Sequence, residues 1–261
     1  MGKITEALKK AAEERFERIE KISRIKEREI LVIKKQGNSK VDACVIPYFD
    51  SKAHISEQYK ILRTNLLSLN KGRTPKVVVL TSSVHSEGKT VTALNLAMVL
   101  AQSTQKPRVL LIDADLRRGK IAKYLGVDQK IGLSEVLRDK AEASDALFNI
   151  DIDNLTFMAN GDIPENPAEL LASEKMKEFL SIMRTQFDHI IIDSPPIISV
   201  TDAGILGSLA DGVIMVIQSG RTQRGIIKHA TELLHQSCVQ LLGHVLTNIE
   251  YHLPEYIYRY L

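Results

Sequence analysis

Apolar residues follow two rhythms along this chain. Six short, predominantly apolar runs, at 77–81, 108–113, 156–159, 189–193, 212–218 and 245–248, have the continuous character of strands buried on both faces. The stretches 89–102, 133–138, 167–172, 174–186, 202–209 and 222–236 read instead as helices, with apolar residues spaced by three and four. Strand and helix in alternation predict an α/β domain, a mostly parallel sheet flanked by helices on both faces. Ligands in such sheets bind at the carboxyl ends of the strands. Upstream, Tyr59, Leu62, Leu66 and Leu69 predict one further helix, capped by Ser56 and ended by Gly72 and Pro75.

The beginning of the chain has another character. Ile4, Leu8, Ala11, Ala12, Phe16, Ile19, Ile22 and Ile25 form one stripe on a long charged helix over 3–30. Such a helix is either solvated or a docking element for a partner or a membrane surface. Residues 37–54 read as a linker or arm, and 55–261 as the main domain. The 261 residues suffice for one substantial domain and an extension. Net charge is +3, but residues 1–36 hold 11 Lys/Arg against 7 Glu, so the basic excess lies outside the main domain. No nucleic-acid partner is expected on that ground. Met1 to Lys35 is too charged for a signal peptide, and no apolar run approaches the ~20 residues of a membrane span. Cys44 and Cys238 lie far apart without metal-ligand spacing, which fits a reducing cytoplasm.

Three motifs carry chemistry. Ser83-Val84-His85-Ser86-Glu87-Gly88-Lys89-Thr90 lies between a predicted strand and a predicted helix. It matches the phosphate-binding P-loop pattern except that Ser replaces the first Gly. Backbone N–H groups of such a loop cradle phosphates, its Lys neutralises them, and its Thr hydroxyl reaches magnesium. Ser83, Ser86, Glu87, Gly88, Lys89, Thr90 and Val91 are therefore the expected ATP contacts. Next, Leu111-Ile112-Asp113-Ala114-Asp115-Leu116-Arg117-Arg118 places two carboxylates just beyond a strand. Beside a P-loop, one can hold a magnesium water while the other orients or deprotonates a nucleophile. Last, Ile190-Ile191-Ile192-Asp193-Ser194-Pro195-Pro196 ends another strand in a carboxylate, as a Walker-B segment does. Asp202 reads equally as a helix N-terminal acid or as a neighbour of this site.

Together these stretches resemble the bacterial tyrosine kinases of exopolysaccharide and capsule export, P-loop enzymes of the deviant-Walker group. The resemblance spans about residue 55 to the end, and the double-Asp motif with its two Arg is the most specific part. It implies ATP-dependent autophosphorylation on tyrosine, with Lys89, Asp113, Asp115 and Asp193 catalytic and with Thr90, Asp113 and Asp193 around Mg2+. It also implies that Glu57, Lys60 and Arg63 join subunits into a ring or other homo-oligomer, although Lys60 stands where the family has Arg. The acceptors would be Tyr251, Tyr256, Tyr258 and Tyr260, four of seven tyrosines in the last eleven residues. Alternation of 256, 258 and 260 also fits a plain amphipathic strand. The implied partner is a membrane-embedded polysaccharide co-polymerase that recruits and activates a cytoplasmic protein.

Besides Lys60 and a short tyrosine cluster, this sequence departs from the family pattern in two places. The usual Pro-Gly before Glu-Gly-Lys is His85-Ser86, and Gly119 stands where Pro is common. Two other readings compete. A partitioning or positioning switch ATPase usually has an extra Lys early in the loop, where this chain has Val84. A nucleotide-binding export subunit without kinase activity is the other.

Overall fold

The computed structural model describes residues 40–69, 76–149 and 154–249. A seven-stranded sheet in the order β3-β4-β2-β5-β1-β6-β7 organises them. The strands are β1 (Val77–Ser82), β2 (Val109–Asp113), β3 (Leu147–Asn149), β4 (Leu155–Met158), β5 (His189–Asp193), β6 (Gly212–Gln218) and β7 (Leu241–Thr247). All neighbours pair parallel except β3 with β4. The predicted fold class holds, and β3 adds an antiparallel edge to it.

The period-two alternation of side chains sorts the core into two layers. One face of the sheet presents Val77, Val79, Leu110, Ile112, Ile190, Ile192, Val213 and Met215. Against it lie α5 (Leu133–Leu137), α7 (Pro167–Leu171), α8 (Glu174–Gln186), α9 (Asp202–Leu209) and α10 (Arg224–Gln236). The other presents Val78, Leu80, Val109, Leu111, Phe157, Ile191 and Val216. It is covered by α1 (Ile46–Phe49), α2 (His54–Ser68), α3 (Lys89–Ala101) and α4 (Ile121–Leu125). Helix α3 is buried almost all round, so it reads as apolar rather than amphipathic. The remaining helix, α6 (Ala143–Ala146), is a single turn leading into β3.

Most predicted elements stand within a residue or two of their expected ends. Helix α2 differs at its start: Ala53 is its N-cap, and Ser56 is buried and donates its hydroxyl to the Asp50 carbonyl at 2.6 Å. Leu66 is fully buried on that helix, whereas Leu69 is exposed. Gly72, Pro75 and the helix expected over 3–30 lie outside the described residues. In the expected arm, Val41 and Val45 sit in the second core layer, Ile46 is buried, and Asn95 of α3 holds the Cys44 carbonyl. Strand β7 begins four residues earlier than expected, because Gly243 and His244 interrupt its apolar run on the half-exposed sheet edge.

The strand that delivers the P-loop is pinned at its origin. The Asp211 carboxylate accepts the N–H groups of Lys76 and Val77, each at 2.7 Å, and both oxygens accept Arg184 Nη1 at 3.0 Å. Hydrogen bonds to a charged acceptor contribute more than neutral ones. D211A should lower the unfolding free energy by about 2 kcal/mol in denaturant titration. An unchanged midpoint would remove this anchor from the account.

Candidate active site

Strand β1 ends at Ser82 and α3 begins at Lys89, so the loop between them passes over the sheet where β5 and β6 flank β1. Two of its residues are left-handed, Ser86 at φ 65° and Gly88 at φ 90°. Gly88 also lies against Thr247, whose methyl would be 3.3 Å from an added Cβ. The Ser86 conformation explains why Gly is the usual residue there, since a side chain makes it cost about 1 kcal/mol.

Two expected nucleotide contacts turn inward. Ser83 is buried with its hydroxyl on the Met215 sulfur, at 3.8 Å. Glu87, only 1% exposed, accepts Val84 N–H at 2.8 Å and Gln218 N–H at 3.3 Å, and it takes a short hydrogen bond from the Thr222 hydroxyl. Thr247 Oγ1 donates to the Glu87 carbonyl at 2.7 Å. Neither Ser83 nor Glu87 lines the cleft; Glu87 is a plug that ties the loop to the ends of β6 and β7.

Ser86, Gly88, Lys89, Thr90 and Val91 do line it, together with His85, Asp115, Arg118, Lys120 and Tyr124, around a cavity of about 300 Å3. The last three were not expected. Arg118 closes the double-Asp motif and could have been inferred from it; Lys120 and Tyr124 arrive through the short α4, which leaves no clear periodic signal.

Three aspartates converge behind Lys89. Its ammonium is 3.2 Å from Asp115 Oδ2, 3.4 Å from Asp193 Oδ1 and 3.4 Å from the Thr90 hydroxyl. Burial works against this charge, but Asp193, Asp115 and Asp113 outweigh it and raise the Lys89 pKa. Asp113 and Asp193 are register partners on β2 and β5. Burial, then the neighbouring Asp193, pushes Asp113 up to about 7. Burial also raises Asp193, against the pull of Lys89.

The three carboxylates are differently occupied. Asp113 accepts N–H groups on both oxygens, from Asp115 at 3.3 Å and Ile121 at 3.0 Å. Asp193 Oδ2 is buried without a hydrogen-bond partner. Gly119 is needed at this point, since an added Cβ would lie 2.9 Å from Asp113 Oδ2 and 2.5 Å from Asn160.

The remaining candidates stand apart from the cleft. Glu57 and Lys60 pair on the surface of α2 at 2.7 Å, and Lys60 also donates to the Ser51 carbonyl. Arg63 donates to the Val99 carbonyl at 2.7 Å, near the end of α3. Tyr251, Tyr256, Tyr258 and Tyr260 lie outside the described residues. Burial, assisted by Asp42, pushes the Cys44 thiol up to about 12, so it is not a nucleophile.

The donor set fits a magnesium ion. Among the described residues no three His, Cys, Asp or Glu form a cage. Magnesium takes one or two carboxylates and completes its shell with phosphates and water, and Asp193 Oδ2 is a buried acceptor with nothing to accept.

A carboxyl raised to about 7 binds a proton in the folded chain that the unfolded chain has released by pH 5. Its effect is a loss of stability as pH rises from about 4 through 7. Without nucleotide or magnesium, D113N should therefore gain in melting temperature relative to the parent between pH 5 and pH 7.5. A gap that stays constant over this range would contradict the assignment.

Residues 76–238 match the model of an AAA domain. The chain is 39% identical over 216 residues to the tyrosine-protein kinase YwqD of Bacillus subtilis, covering 83% of this chain and 90% of that one. The BceF tyrosine kinase domain superposes with a TM-score of 0.71 at 35% identity, covering 77% of this chain and 81% of that one. Cobyrinic acid a,c-diamide synthase from Mycobacterium smegmatis, solved with ADP and magnesium, superposes with a TM-score of 0.57 at 25% identity, over 68% and 77% of the two chains. With its P-loop, three strand-end aspartates and these relatives, the chain belongs to the family of bacterial tyrosine-protein kinases.

Proposed function

We propose that the protein transfers the γ-phosphoryl group of ATP to tyrosine hydroxyls, with Tyr251, Tyr256, Tyr258 and Tyr260 of a neighbouring copy as its main acceptors. The observation that carries this reading is Asp115: it lines the cleft at the P-loop and is held 3.2 Å from Lys89. A carboxylate in that position can take the proton of an incoming hydroxyl.

The tyrosyl oxygen attacks the γ-phosphorus, the bond to the bridging oxygen of the β-phosphate breaks, and ADP leaves. The proton lost by tyrosine passes to Asp115. Lys89 stabilises charge on the transferring group, where most catalysis of this reaction resides. Backbone N–H groups of residues 86–91 bind the phosphates, and Gly88 lets that backbone approach them. Magnesium, when bound, neutralises the phosphates; Thr90 and Asp193 would hold it, with Asp113 in the shell behind. Asp113 is given the outer role in this reading because both of its oxygens already accept N–H groups.

In this reading the protein acts in the cytoplasm and regulates polysaccharide chain length and export, recruited by a membrane-embedded activator. Among the described residues no helix is long and apolar enough to cross a membrane. A homo-oligomer joined through Glu57, Lys60 and Arg63 would bring one copy's tail to the next copy's cleft. Each phosphate adds about −1.5 to −2 charges at neutral pH, so a modified tail would be repelled by the acidic site.

Incubation with ATP and magnesium, followed by mapping of phosphotyrosine by mass spectrometry, tests the proposal. Phosphate is expected on residues 251–260 and should fall by at least about 100-fold in K89A. Hydrolysis of ATP with no phosphotyrosine would replace the kinase by a switch ATPase.

A further inference from the structure

Asp202 is the first residue of α9 and is completely buried. An acid at a helix start is favoured by the helix dipole, but such residues are ordinarily solvated. Burying a carboxylate is costly unless it is paired and hydrogen-bonded. Its partner is Arg117, which donates Nε to Oδ2 at 3.1 Å and Nη2 to Oδ1 at 3.3 Å. This two-pronged geometry is specific to a guanidinium.

The two residues belong to different active-site loops. Arg117 is two residues beyond Asp115 on the loop after β2, and Asp202 is nine residues beyond Asp193, where the loop after β5 enters α9. The first loop is otherwise fixed by its own backbone, by the Asp113 carboxylate, which accepts the Asp115 and Ile121 N–H groups, and by apolar anchors. Ala114 N–H donates to the Asp193 carbonyl, Arg118 N–H donates to Asp115 Oδ1 at 3.0 Å, and Ala114 and Leu116 are buried. The second loop is held along its first half, where Ser194 N–H and hydroxyl both reach the Leu80 carbonyl at 3.0 Å, Thr81 Oγ1 donates to the Pro195 carbonyl at 2.8 Å and Ile197 N–H to the Ser82 carbonyl at 3.0 Å. Arg117–Asp202 closes the remaining end and joins the two loops side chain to side chain.

We propose that Arg117 and Asp202 are a positioning pair, which fixes Asp115 against Lys89 by tying the loop after β2 to the start of α9. This rests on the kinase reading for its catalytic consequence, but not for its structural one. Neither residue lines the cleft. Their influence passes through the Asp115 backbone, so it falls on proton transfer and not on the P-loop. A displacement near 1 Å at a reacting group costs on the order of 100-fold in rate.

The test uses the full chain and its R117Q, R117K and D202N variants together with the R117Q/D202N double variant. R117Q should lower kcat for tyrosine phosphorylation about 10- to 100-fold with KM for ATP nearly unchanged. R117K, which keeps the charge but lacks the fork, should fall between R117Q and the parent. The double variant should be no slower than the slower single one, because residues that act as a unit are not additive. Independently of activity, amide exchange of residues 114–121 in the nucleotide-free R117Q chain should accelerate while β1 and β5 keep their protection. Unchanged kcat, multiplicative losses in the double variant, or exchange that rises throughout the molecule would each overturn the proposal. If the parent transfers no phosphate to tyrosine, the kinase reading falls, and the exchange pattern alone decides the pair.

Discussion

Parallel strands β2 and β5 run side by side with Asp113 opposite Asp193, so two carboxylates are forced together at the end of a dry sheet. A third, Asp115, follows two residues on. One buried ammonium, Lys89, faces them. Such a cluster carries excess negative charge where the surroundings screen it poorly, and like charges at this range cannot all ionise freely. Burial, and then this crowding, raises the Asp113 pKa, and one oxygen of Asp193 has no donor. A divalent cation and the phosphates it accompanies would relieve the crowding. The site therefore carries an electrostatic demand of the kind that a metal–nucleotide complex would satisfy.

The loop that presents Lys89 has to be rigid for this to hold, and its rigidity comes from a side chain that turns away from the cleft. Glu87 spends its carboxylate on Val84, Gln218 and Thr222, and its carbonyl on Thr247. These bonds link the P-loop to the last two strands of the sheet. With its underside so fixed, the loop tolerates Ser86 in a left-handed conformation that glycine would adopt more easily. His85 is exposed, with its Nε2 3.5 Å from the Ser199 hydroxyl, so the exchange of Pro-Gly for His-Ser alters the rim of the cleft more than its frame.

What the sequence made legible follows from how much each element buries. Strands β1, β2, β5 and β6 are covered on both faces, which writes them as unbroken apolar runs. Strand β3 is three residues long with Phe148 and Asn149 exposed, and it exists only by pairing with β4. Helices α1, α4 and α6 span four or five residues, too short to express a period. At the site, the motifs marked the three aspartates and the lysine because chemistry dictates their type and spacing. Spacing could not say that Ser83 and Glu87 point inward, since side-chain direction at a tight turn depends on partners more than 100 residues away. Nor could it pair Arg117 with Asp202, which are separated by 85 positions.

Three aspartates of equal intrinsic acidity are distinguished here by the donors around them. Asp113 receives two backbone N–H groups and is wholly enclosed, so it holds the loop that follows β2. Asp193 faces Lys89 with one oxygen and leaves the other open, the arrangement a cation would use. Asp115 alone of the three lines the cleft, and its second oxygen is steadied by Arg118 N–H. A proton acceptor must meet an incoming hydroxyl while staying in register with the lysine, which calls for exposure and restraint at once. The cleft supplies the exposure. The restraint has to come from the loop itself, and the fork from the partly exposed Arg117 to the buried Asp202 ties this loop to the start of α9.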